Sequence, residues 1–188
     1  MKLNYFLLFF LPFFSFGEVN FIPIDTVINK QSVDMIQSIF HSEPNRTDWT
    51  IYFNTPGGSV SDGIRLLPYF EKNNMTCIVD RAYSMGFLLF QTCSQRYILP
   101  YGSLMQHDMS LGFQDEYTKI QSYMNYIRKL YNRLVNLQIK RIGITKKEFL
   151  QKIRNDWWMT AEESIKNNCA DKIIPSLTEQ ILEDLEEF

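Results

Sequence analysis

Between Asn20 and Asp80, short apolar runs alternate with helical patterns, and this alternation constrains the fold more than any other feature of the chain. Asn20 to Ile24 is short and apolar, as a strand requires, and Ser32 to Phe40 then places Val33, Ile36, Ile39 and Phe40 on one helical face. The polar stretch His41 to Asp48, which contains Pro44, leads into the β-rich run Trp49 to Phe53 and the turn Asn54-Thr55-Pro56-Gly57-Gly58. Ser61 to Lys72 has helical spacing at Ile64, Leu66, Leu67 and Phe70, and Thr76 to Asp80 is the next buried strand. The order β-α-β-α-β predicts an α/β fold with a mainly parallel sheet and covering helices, whose ligand sites lie at the carboxyl ends of the strands. Gly57-Gly58 and Ser84 both fall at such ends.

Farther along, Tyr97 to Leu99 and Ser103 to Met105 read as two short strands around the turn Pro100-Tyr101-Gly102, with His107 after the second. From about Glu116 to Arg141 runs the longest amphipathic helix, free of glycine and proline, with Ile120, Tyr123, Met124, Ile127, Leu130, Tyr131, Leu134 and Leu137 at three-and-four spacing. Thr160-Ala161-Glu162-Glu163 is a capping box opening another helix, and Lys172 to Ile174 is a last short strand. The acidic stretch Glu179 to Glu187 reads as a solvated helix or frayed end.

At 188 residues, 45% apolar and 21% charged, the chain is long enough for one globular domain, placed at residues 18–188. A net charge of −2 with scattered lysines and arginines argues against a nucleic-acid partner. Residues 1–17 differ in kind: Lys2 precedes the apolar run Tyr5 to Phe14, and Ser15-Phe16-Gly17 supplies small residues for cleavage. This predicts a signal peptide, hence export or membrane association; an apolar arm packed on a neighbouring subunit is the alternative. Cys77, Cys93 and Cys169 have no metal-binding spacing and read as core or surface thiols, although an oxidising compartment would permit one disulfide.

Of the two histidines, His41 lies in a polar loop and reads as a surface residue, which leaves His107 as the candidate imidazole base. By itself His107 reads more readily as a satisfied structural histidine than as a base. Ser84 stands between a buried strand and a helix beginning near Met85, where backbone N–H groups favour an oxyanion; an ordinary helix N-cap is the competing reading. The glycine pair adds a backbone N–H near the same strand ends. For a carboxylate partner the residues leave Asp80, Asp108 and Asp156 open.

Asn54-Thr55-Pro56-Gly57-Gly58-Ser59-Val60, Ala82-Tyr83-Ser84-Met85-Gly86, His107 after a strand, and Asp156-Trp157-Trp158-Met159-Thr160-Ala161-Glu162-Glu163 occur in the order found in Clp protease proteolytic subunits. The chain resembles that family from about Phe21 to Ile174. The resemblance implies a crotonase-like fold of repeated β-α-β units with a protruding handle helix at about 112–150, and a serine endopeptidase acting through an acyl-enzyme. It assigns Ser84 as nucleophile, His107 as base and Asp156 as orienting acid, with Gly58 and Met85 as oxyanion donors. Gly58-Ser59-Val60 is similar to the family's substrate-pairing strand. It further implies peptide or unfolded-protein substrates, no cofactor of the chain's own, a homo-oligomer of stacked heptameric rings, an ATP-driven AAA+ unfoldase as partner, and a cytoplasmic setting. Tyr83 stands where the family usually has a small residue, and Asp108-Met109 replaces its common Gln-Pro. Competing readings are an inactive ring subunit, a membrane-associated signal-peptide-peptidase-like enzyme using a serine–lysine pair, and acyl-CoA chemistry of the crotonase type.

Overall fold

The computed structural model describes residues 21–177; the leader-like segment and the acidic stretch from Glu179 lie outside the described residues. Four parallel strands form the sheet in sequence order: β1 (Phe21–Ile24), β2 (Thr50–Thr55), β3 (Thr76–Tyr83) and β4 (Gln95–Gln106). On the far edge of β4, β5 (Trp157–Met159) pairs antiparallel with its carboxyl end, and β6 (Lys172–Ile173) pairs parallel near its start. The fold is therefore the expected α/β arrangement with a mostly parallel sheet.

Parallel strands need crossovers, and the helices supply them. The first, α1 (Lys30–Ser42), is opened by a capping box between Asn29 and Ser32 and buries Val33, Ile36 and Phe40. The helix expected over Ser61 to Lys72 is two helices, α2 (Val60–Gly63) and α3 (Leu67–Lys72), because Pro68 in the first turn of α3 makes it a new start. Next comes α4 (Met85–Phe90), whose every residue is buried. Edge-to-face contacts of Phe53 with Phe70 and Phe90 join the sheet to α3 and α4, and each buried ring contributes about 1.5–3 kcal/mol.

The two strands expected around Pro100-Tyr101-Gly102 are one continuous β4. Ile98 pairs with Val79 and Ser103 with Arg81, so Asp80 alone stands opposite Leu99 to Gly102. The proline and glycine mark a bulge, and a Cβ on Gly102 would lie 2.9 Å from the Val79 carbonyl oxygen.

The long helix α5 (Tyr117–Ile142) ends at Gly143, whose φ of 84° supplies the left-handed cap. It is buried only at Ile127, Leu134, Val135, Gln138 and Ile142, and its first half leaves Tyr117 and Tyr126 exposed. After it, α6 (Lys146–Ile153) buries Phe149 and Ile153, and α7 (Ala161–Lys166) begins with the capping box expected at Thr160.

Cysteine chemistry departs from the free-thiol expectation. Cys77 of β3 and Cys93 after α4 form a disulfide, because the β3-to-α4 reversal brings their Cα atoms to 6.0 Å. Cys169 is free and buried, and burial pushes its thiol up to about 12. Arg96, fully buried, hydrogen-bonds Gln91, Asn168 and Asp171, tying the start of β4 to the segment leading into β6. Burial alone would raise the Asp171 carboxyl, but hydrogen bonds and charge from Arg96, with the charge of Arg141, hold it below the usual carboxylate range.

Candidate active site

Because β2, β3 and β4 run parallel, their carboxyl ends meet at one edge of the sheet. Gly57-Gly58 follows β2, Ser84 follows β3, and His107 follows β4. Among these, Ser84 Oγ and His107 Nε2 are 2.8 Å apart.

Ser84 has φ 54° and ψ −116°, a conformation costing about 1–3 kcal/mol for a residue with a Cβ. Its surroundings enforce it. The Ser84 N–H donates to the Met105 carbonyl at 2.9 Å, while the helix that follows is buried throughout. Gly57, at φ 90°, lies so close that an added Cβ would be 2.4 Å from the Tyr83 carbonyl oxygen and 2.8 Å from Ser84 Cβ. The Ser84 side chain makes no capping bond to α4, which sets aside the N-cap reading. Its oxygen meets the imidazole instead.

Gly58 sits beside Ile28 in a parallel bridge. The Ile28 N–H donates to the Gly57 carbonyl and the Ser59 N–H to the Ile28 carbonyl, each at 2.8 Å, so the N–H and C=O of Gly58 itself face the other way. A Cβ at Gly58 would stand 2.2 Å from the Ile28 carbonyl oxygen. Met85 supplies the first N–H of α4, which has no intrahelical acceptor. The substrate-pairing strand expected at Gly58-Ser59-Val60 stops short: Ser59 caps α2 by accepting from the Asp62 N–H, and Val60 is the first helical residue. Of this segment, Gly58 and Val60 line the cavity beside Ser84.

A cavity of about 140 Å³ opens beside the serine. Gly58, His107, Asp108 and Tyr131 lie at its rim, and buried Met85, Leu88, Leu134, Phe149 and Ile153 line its interior together with Gln106 and Gln138. His41 is elsewhere, hydrogen-bonded to the Tyr69 hydroxyl at 2.7 Å beside a separate cleft.

The three candidate carboxylates separate by position. The Asp108 carboxylate accepts from the Tyr131 hydroxyl and from the Met109 N–H, each at 2.8 Å, which turns it toward α5. Burial, followed by the hydrogen bond to Asp108 and its charge, raises the Tyr131 hydroxyl far above its ordinary value, so Tyr131 remains a donor. Asp80 occupies the bulge position of β3. Asp156 immediately precedes β5, and the antiparallel register of Leu104 with Met159, Met105 with Trp158 and Gln106 with Trp157, carried one pair further, sets Asp156 opposite His107. Its side chain is exposed, its φ is 51°, and no hydrogen bond joins it to His107 among the described residues.

Gln106, Tyr131 and Gln138 also line this cavity, outside the candidate residues read from the sequence. Gln106 sat at the end of an apolar strand and Gln138 within an apolar helix stripe, and that mismatch of a polar residue with a buried period was the available signal.

The sequence model of the family described as Clp protease matches residues 19–176. The chain belongs to the Clp protease family. It is 28% identical over 164 residues to an "ATP-dependent Clp protease proteolytic subunit" of Borrelia garinii subsp. bavariensis, covering 84% of this chain and 81% of that protein. The protein of the same name from Borreliella afzelii is 28% identical, covering 84% and 80%, and "ATP-dependent Clp protease proteolytic subunit 1" of Borreliella burgdorferi is 28% identical, covering 84% and 81%. Within the Clp protease fold, α5 is the handle and the sheet is the repeated β-α-β body.

Proposed function

We propose that this chain is a serine endopeptidase of Clp type, and the observation that carries this reading is the 2.8 Å contact of Ser84 Oγ with His107 Nε2 at a strained strand-to-helix turn. Ser84 Oγ attacks the scissile carbonyl while His107 Nε2 takes its proton, and the imidazolium then protonates the leaving amine to leave an acyl-enzyme. Water deacylates the enzyme by the same exchange. The oxyanion points toward the N–H groups of Gly58 and Met85, which lack competing acceptors within their own elements. With its N–H turned to the oxyanion, Gly58 keeps its outward C=O to accept from an N–H of an extended peptide, which supplies affinity independent of side chain.

Asp156 is the acid in this reading, and its place opposite His107 supports it. Its carboxylate must turn toward Nδ1 to hold the imidazole, so the serine–histidine half is assembled and the acid half is disengaged. That disengagement is also what favours the second reading, a catalytically weak ring subunit. Among the described residues a histidine and no lysine lines the cavity, which favours the serine–histidine reading over a signal-peptide-peptidase-like serine–lysine mechanism.

Tyr117 and Met124, exposed two turns apart on one side of the handle, suit a homo-oligomer, in rings stacked as heptamers, and the relatives' description as ATP-dependent suggests an AAA+ unfoldase as partner. Cleavage of an unstructured peptide, abolished by Ser84→Ala and His107→Ala in assemblies of unchanged mass, is the expected result. Cleavage that survives Ser84→Ala would overturn the proposal.

A further inference from the structure

The cavity beside Ser84 has two buried amides where an apolar lining would be simpler. Gln106 is 7% exposed and Gln138 3%. Both line the same cavity as Met85, Leu88, Leu134 and Phe149. They are joined in a chain whose direction is fixed at both ends. The His107 N–H can only donate, and it reaches Gln106 Oε1 at 3.1 Å. The Leu134 carbonyl can only accept, and it receives Gln138 Nε2 at 3.0 Å. Between them Gln106 Nε2 donates to Gln138 Oε1.

Counting donors and acceptors shows what remains. Each amide nitrogen carries a second N–H and each amide oxygen a second lone pair, none of them used in this chain of bonds. Burying such capacity against aliphatic atoms costs free energy, and a ligand that satisfies it recovers that cost. At about 140 Å³ the cavity is of the size that takes a benzene-sized group, which suits a side chain of glutamine's size. Among the described residues no lysine or arginine lines it, and the one carboxylate there, Asp108, is exposed at the rim and already bonded to Tyr131. A charged side chain would therefore be desolvated without a partner.

We propose that Gln106 and Gln138 make this cavity a specificity pocket for glutamine at the substrate residue whose carbonyl Ser84 attacks. The inference rests on the serine-peptidase reading above. A glutamine side chain both donates to and accepts from the two amides, whereas an isosteric apolar chain leaves them facing carbon.

The test compares peptide amides identical except at that residue, which is glutamine, norleucine or glutamate, using the full chain. The glutamine peptide should be preferred over norleucine by about tenfold or more in kcat/KM, with glutamate cleaved least. In the volume-conserving variant Gln138→Met the glutamine preference should fall to about one or reverse, while fluorophosphonate still acylates Ser84. A purely structural role for Gln138 would lower all three rates together. Wild-type protein that is acylated at Ser84 yet cleaves norleucine as well as glutamine overturns this inference and leaves the serine reading standing. A preference that persists in Gln138→Met overturns the assignment to the amide pair. Protein that neither reacts at Ser84 nor cleaves any peptide removes both.

Discussion

Ser84 and Asp156 are both held at positive φ beside His107, yet the structure secures them very differently. The Ser84 turn is anchored to β4 by its own N–H, followed by a wholly buried helix, backed by Gly57, and enclosed in a loop closed by the Cys77–Cys93 disulfide. The Asp156 turn precedes a strand of 3 residues at the sheet edge, with an exposed side chain and Trp158 55% exposed beside it. The proposed nucleophile is built into the core, whereas the proposed acid is mounted on a margin, on an edge strand with few contacts to lose.

The largest effects should fall on the rigid side. Ser84→Ala and His107→Ala should each reduce peptide cleavage by about 10⁴-fold or more, and the double variant should be little worse, because the two act as one unit. Asp156→Asn should cost less, about 10²- to 10⁴-fold in kcat, and should leave the chain's stability within about 0.5 kcal/mol of the parent, as an exposed and unbonded side chain implies. An Asp156 variant that unfolds at markedly lower denaturant concentration would erase the contrast between the two turns.

Reduction of the disulfide comes next. The link spans a sequence separation of 16, and opening it should lower stability by about 2–4 kcal/mol, read as a shift in denaturation midpoint with and without reductant. Because the loop encloses Ser84, cleavage should become heat-sensitive under reducing conditions. Gly57→Ala should cost about 1–3 kcal/mol through the contact with the Tyr83 carbonyl and the positive φ, with acylation of Ser84 slowed as the turn is displaced.

The smallest effect is a pH dependence at the other end of the same edge, where β6 is pinned by Arg96 and Asp171. Asp171 is held below its ordinary value of 3.8 in the folded chain, so its contribution is fully present above that value and is lost as pH falls below about 4 toward the folded value. Asp171→Asn should flatten this acid limb in a stability-versus-pH series. An unchanged limb would mean that the pinning of β6 does not depend on that charge.

The parts visible in the sequence were those written in local pattern. Strand and helix periods gave the parallel sheet, the Thr160 box gave the start of α7, and glycine and serine at strand ends gave the location of the site. What local pattern misread was long-range in origin. Pro100-Tyr101-Gly102 has the composition of a turn, and only pairing with β3 on both sides makes it a bulge within one strand. The Cys77–Cys93 link depends on the Ser84 reversal, which no spacing rule encodes. Asp156 could be distinguished from Asp80 and Asp108 only by resemblance, because its place opposite His107 depends on the register between β4 and β5.

In the proposed mechanism Ser84 and His107 already form a working nucleophile and base while Asp156 tunes them from the edge. Fluorophosphonate acylation followed by peptide mapping tests it most directly, with rates measured for wild type, Ser84→Ala, His107→Ala and Asp156→Asn. One label is expected, on the peptide containing Ser84, absent in Ser84→Ala, nearly abolished in His107→Ala and slowed but present in Asp156→Asn. A label on another residue, or a rate indifferent to His107→Ala, would contradict it.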